Sequence, residues 1–168
     1  LIKYLNFFFI LLTVSSFNAC GSYNFTGSGT ISAKTFQVNF FQNNAPLIEP
    51  GLDRDFTNAL QDFINNQTNL SLVSSNGDLL YEGEIVEYRI SPMAATADQL
   101  AAQNRLNVTV NVRFSNANKE EENVEKRFTH FHDYPANEQL IGARLSTAKK
   151  EIFERITLDI FSATLAKW

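Results

Sequence analysis

The sequence predicts an α+β domain: a mixed four- to five-stranded sheet with two helices packed on one face, in the order β-α-β-β-β-α. Three observations predict it. Between Asn104 and Phe114, Leu106, Val108, Val110, Val112 and Phe114 alternate with Arg105, Asn107, Thr109, Asn111 and Arg113. That alternation marks a strand with one dry and one wet side. Two other stretches carry a single apolar stripe at helical spacing, as helices resting on a sheet do. One of them follows the first strand and the other ends the chain, so one crossover precedes a meander.

The chain opens with Lys3 and an apolar run from Tyr4 to Val14. The run is shorter than the roughly 20 apolar residues that span a bilayer, and it reads as a secretory signal over residues 1–19. Residues 20–32, rich in Gly, Ser and Thr, read as a tether. Residues 33–168 then form one domain. About 150 residues follow the signal, enough for a core without staples.

Thr35 to Phe41 alternates, with Phe36, Val38 and Phe40 inward, and Asn43 to Pro46 breaks it. The first helix runs from Pro50, suited to a first turn, to Asn66, with Leu52, Phe56, Ala59, Leu60, Phe63 and Ile64 as its stripe. Leu70 to Val73 is a short apolar run, and Asn76-Gly77 marks a tight turn. From Leu79 to Ile90 the strand changes face. Leu79, Tyr81 and Ile85 share one parity; Val86, Tyr88 and Ile90 share the other. One extra residue restores a single buried face, which predicts a β-bulge between Gly83 and Val86. Ser91-Pro92 is expected to end this strand, and Met93 to Gln103 to form a long loop. A polar, acidic connection leads to the last strand, Val124 to Tyr134, ended by Pro135.

The final helix is expected from Asn137 to Lys167. Its stripe is Ile141, Leu145, Ala148, Ile152, Ile156 and Ala163, with Ile160 on the flank. Leu158, Phe161, Leu165 and Trp168 fall on another side, so the last turns are apolar nearly all round. Either the domain wraps this end or a partner does, and Leu158, Phe161 and Leu165 are the candidate partner contacts.

Signs of catalysis are missing. There is no Gly-rich phosphate loop, no G-x-S-x-G and no H-E-x-x-H, so neither an enzyme nor a cofactor is expected. His130 and His132 lie two apart and share a strand face, a spacing open to a metal. Asp133 points the other way and supplies no third ligand. Surface imidazoles are the competing reading, and no metal is expected. Glu82, Glu84 and Glu87 are carboxylates without an evident base or nucleophile, and Glu120-Glu121-Glu122 reads as a solvated tip. The formal charge is −4 and no basic stripe appears, so nucleic acid is excluded as a partner.

Cys20 is the single cysteine and has no intramolecular disulfide partner. Ala19-Cys20 at the end of a signal resembles a bacterial lipobox. That resemblance implies acylation of Cys20, cleavage before it and a lipid anchor, since two or three chains hold firmly. Gly21 after the cysteine favours the outer membrane by the same resemblance, and no acidic run argues for surface export. An ordinary cleaved signal is the competing reading.

Further stretches carry a wider resemblance. They are Cys20-Gly21-Ser22-Tyr23-Asn24-Phe25-Thr26-Gly27, Phe40 to Leu47, Gly77-Asp78-Leu79 leading to Glu82-Gly83-Glu84-Ile85, Asn104 to Val108, and Phe128 to Tyr134. Together they are similar to the LptE family of lipopolysaccharide-assembly lipoproteins, from Cys20 almost to Trp168. The resemblance implies a periplasm-facing outer-membrane lipoprotein. Such a protein plugs and helps assemble the LptD-type β-barrel and contacts lipopolysaccharide. An anionic lipid calls for cations. Arg105 and Arg113 on the wet side of one strand are the candidates by geometry, with plain solvation as the alternative. A different outer-membrane binding or assembly module would share the tether, sheet and helices.

Overall fold

A computed structural model of the chain describes residues 31, 33–93 and 102–166. The signal, nearly all of the tether including Cys20, most of the predicted loop after Met93, and residues 167 and 168 lie outside the described residues. In chain order the elements are β1 (Thr35–Val38), β2 (Gln42–Asn43), α1 (Leu52–Gln67), β3 (Ser71–Leu72), β4 (Leu79–Met93), β5 (Gln103–Asn116), β6 (Val124–Pro135) and α2 (Gly142–Thr164). The fold is α+β, as predicted, and the mixed sheet has six strands. The strands beyond the predicted number are two-residue pieces, too short for a period to show.

The spatial order is β3-β1-β4-β5-β6, with β2 also against β4. β1 runs parallel to both β3 and β4, while β4-β5 and β5-β6 are antiparallel. The crossover from β1 through α1 to β3 and the meander of the last three strands thus meet in one sheet. The turn before β4 uses Asn76 at φ 53, the left-handed conformation that Asn tolerates.

All five inward residues of β5 are buried, from Leu106 to Phe114. Across from them β4 contributes Tyr81, Ile85 and Tyr88, and Leu79 is buried opposite Asn116. The register shift falls between Ile85 and Glu87, so Val86 is the extra residue, inside the predicted interval. Without it Tyr88 would face water; with it Tyr88 is buried. Both helices cover this face. Phe56 of α1 meets Phe41 edge-on at 5.2 Å and Phe153 of α2 at 5.4 Å. The Tyr81 hydroxyl lies 3.0 Å from that of Thr164, and burial holds its pKa far above the ordinary phenol value. Lys149 of α2 reaches Asp55 at 3.2 Å and Glu49 at 3.5 Å, tying the two helical segments together. Among the described residues no helix is long and apolar enough to cross a membrane.

Three predicted boundaries are corrected. Phe40 points outward, 56% exposed, and Phe41 is buried instead. The chain turns between β1 and β2, where the Phe41 amide donates to Thr57 Oγ1 at 3.1 Å rather than to a strand. β4 runs through Ser91-Pro92 to Met93. Pro92 is tolerated because its missing N–H would face the side of β4 away from β5, so no ladder bond is lost. α2 starts at Gly142, five residues later than expected. Ile141 is extended and 65% exposed, and Gly142 sits at φ +57, outside the stripe's reach.

The start of β1 is pinned by a side chain from the far end of the crossover. Asp78 Oδ2 accepts from the amides of Lys34 (2.8 Å) and Thr35 (3.0 Å), and the Asp78 amide donates back to Thr35 Oγ1 (2.9 Å). These bonds, led by the Lys34 amide, lower the Asp78 pKa below the ordinary 3.8. The carboxylate therefore stabilises the fold above that value, and its contribution is lost as pH falls through the lowered one. In urea denaturation, Asp78→Asn is expected to unfold earlier than the native chain at neutral pH. The gap closes as the pH falls below 3.8. A gap that persisted unchanged to about pH 2 would contradict this role.

Candidate functional site

The helices leave the other face of the sheet open, and the pleat places every second residue of three long strands there. The cross-strand register assembles five rows: Glu82-Arg113-Glu125, Glu84-Asn111-Arg127, Glu87-Thr109-Thr129, Arg89-Asn107-Phe131 and Ser91-Arg105-Asp133. Sequence alternation alone yields the members from β5. The grouping into rows comes from the bulge at Val86, without which β4 would present the wrong side.

The middle row is internally bonded. Thr109, only 7% exposed, donates to Glu87 Oε2 at 3.0 Å and lies 2.9 Å from the Thr129 hydroxyl. Arg89 Nε sits 3.0 Å from Glu87 Oε1. At one end Arg105 binds Asp133 through two nitrogens, at 2.7 and 2.8 Å, with its guanidinium 3.5 Å above the Phe131 ring. The Arg105 hydrogen bonds hold the Asp133 carboxyl below its usual range, and the same bonds raise the arginine. At the other end Glu82 accepts from the Asn39 amide at 2.9 Å, and Glu84 accepts from Asn44.

This geometry separates the two predicted cations. Arg105 is held by Asp133 and Phe131, so an anionic ligand would have to displace a bidentate carboxylate. Arg113 is exposed and makes no ion pair among the described residues, as does Arg127 on the neighbouring strand. Arg127 was missed by sequence reasoning, since β6 lacks the clean alternation of β5. The face is thus polar and largely satisfied by its own bonds, and Arg113 and Arg127 are its unpaired cations among the described residues.

His130 and His132 do share a face, the helical one. His130 Nε2 lies 2.7 Å from Asp159 and His132 Nδ1 lies 2.8 Å from Glu151, both carboxylates on α2. Each imidazole links the edge strand to the helix, and the described residues contain no cluster of three or more metal-ligating side chains. At the end of α2, Phe161 stacks edge-on against Phe63 at 5.8 Å, and Leu165 packs against the core. The domain itself wraps those two. Leu158 remains 51% exposed.

The comparison with known families settles the lineage of this open-faced sheet. The family model LptE, described as lipopolysaccharide-assembly, matches residues 33–164. This chain belongs to the LptE family. The match runs from two residues before β1 to the last residue of α2, so it takes in every strand and helix described. No curated protein sequence matches the chain. Among solved structures, the hypothetical protein CT253 from Chlamydia trachomatis aligns with a TM-score of 0.54 at 11% identity. It covers 81% of this chain and 100% of the other. The minor lipoprotein from Acinetobacter baumannii aligns at 0.48 and 12% identity, over 79% and 90%. The rare lipoprotein B from Shewanella oneidensis aligns at 0.43 and 11% identity, over 76% and 89%. The first likeness speaks for the fold; the other two are too distant to carry an argument.

Proposed function

We propose that this LptE-family chain is a lipid-anchored outer-membrane lipoprotein. In this reading it plugs an LptD-type lipopolysaccharide translocon barrel and helps it assemble, so that lipopolysaccharide reaches the cell surface. The observation that carries the reading is the family match over the entire domain. The open sheet face supports it physically. The lumen of a large outer-membrane barrel is polar and water-filled, so a plug needs a surface that is wet and self-satisfied. The five cross-strand rows make such a surface.

The anchor in this reading is acylated Cys20, and the domain hangs on the periplasmic side. The role is non-catalytic, consistent with Glu82 and Glu84 being engaged by amides. Direct contact with the anionic lipid falls to Arg113, because Arg105 is already paired. Depleting the protein from its native cell tests the function. Surface lipopolysaccharide is expected to fall, and the barrel is expected to accumulate unfolded, losing its heat-modifiable mobility on gels. Depleted cells with normal surface lipopolysaccharide and a folded barrel would refute the proposal.

A further inference from the structure

β4 outlasts its neighbours. β1 pairs with it at Leu79–Tyr81 and β2 at Glu84–Ile85, and the Asn44 amide makes the last bond, to the Ile85 carbonyl at 2.9 Å. From Val86 to Met93 the strand pairs only with β5 among the described residues. Backbone direction follows side-chain face on a strand. Tyr81 and Ile85 bury their side chains and aim their carbonyls toward β1 and β2, where Asn39 and Asn44 donate to them. Beyond the bulge Tyr88 and Ile90 oppose Val108 and Leu106 and so share that face. Their N–H and C=O groups therefore point to the side that has no partner strand among the described residues. Pro92 is next in that row and has no N–H, which limits the free stretch to about five residues.

A groove of about 670 Å³ runs along this edge. Pro46, Leu47 and Ile90 give it an apolar wall, with Leu47 49% and Ile90 42% exposed. Its charges are Glu87, Arg89 and Arg127. Glu87 is paired with Arg89, which leaves the Arg127 charge uncompensated among the described residues.

We propose that the Val86–Ser91 edge takes up an extended segment of the partner barrel as an added strand. The segment is apolar where it meets Leu47 and Ile90 and acidic where it meets Arg127. Main-chain donors and acceptors in strand register are met by an extended backbone, the apolar wall selects the alternate side chain, and Arg127 sets the charge. The inference rests on the plug reading for the identity of the partner. A closed barrel wall has no free edge, so the segment belongs to a loop or terminal extension of the barrel.

The test places a benzophenone side chain at Leu47 and, separately, at Ile90, irradiates the detergent-purified complex, and identifies the linked peptides by mass. Adducts to one acidic, apolar segment of the barrel are the expected result. Ile90→Pro removes the edge donor while sparing the β5 ladder, and it is expected to weaken the complex about tenfold with an unchanged melting curve. Leu47→Asp, on the same apolar wall but outside the strand, is expected to act in the same direction and guards against misfolding of the proline variant. Undiminished barrel recovery with both variants and no adduct would overturn the edge proposal and leave the plug reading standing. Adducts to a second copy of the chain would also overturn it. A preparation with no barrel would remove both.

Discussion

Gly83→Ala is expected to destabilise the domain by about 3 kcal/mol and to lower its melting temperature by roughly 10 °C. Gly83 sits in β4 opposite Val112 of β5 and under the Phe41 ring. A Cβ there would collide with the Asn111 carbonyl oxygen and lie 2.6 Å from Phe41 Cε1. The first of these neighbours is backbone of the adjoining strand and cannot rotate away, so β4 and β5 must part at the sheet's centre. The second is a core ring wedged against Phe56, so the strain spreads into the helix layer. Gly142→Ala is the control. Nothing lies within 4 Å of its Cβ position, but φ is +57, so it carries only left-handed strain of about 1 kcal/mol. Denaturant melts of the two variants check the contrast, and equal stabilities would show that the close approach at Gly83 is not rigid.

Cys20→Ala is expected to shift the protein from the membrane pellet to the soluble periplasmic fraction. Its acyl chains are the proposed anchor, and two or three chains bind far more firmly than one. The substitution lies outside the described fold, so the released domain is expected to keep its melting temperature. Fractionation after osmotic shock, followed by melting of the released protein, reads both. Full retention in the pellet, in cells lacking the barrel, would sink the lipobox reading of Ala19-Cys20.

Much of this fold is legible because β5 alternates without error over eleven residues, and its neighbours only need to match that parity. The bulge is legible for the same reason, since Leu79-Tyr81-Ile85 and Tyr88 cannot bury together unless one residue is skipped. The missed details are tertiary. Whether Phe40 or Phe41 turns inward is decided by the Thr57 hydroxyl on α1, sixteen residues away. Whether Pro92 ends β4 is decided by which edge of the strand lacks a partner. At the site, sequence supplies Arg105 and Arg113 as equals; only the Asp133 and Phe131 contacts from β6 tell them apart. Likewise the apolar end of α2 reads the same whether a partner or Phe63 covers Phe161.

In the proposed role this domain sits inside a barrel. Purifying the tagged native protein in mild detergent, with partners identified and counted by native mass, tests it most directly. A complex of one copy of this chain with one LptD-type outer-membrane barrel is the expected result. Recovery of the chain alone, or with a different envelope assembly, would contradict it.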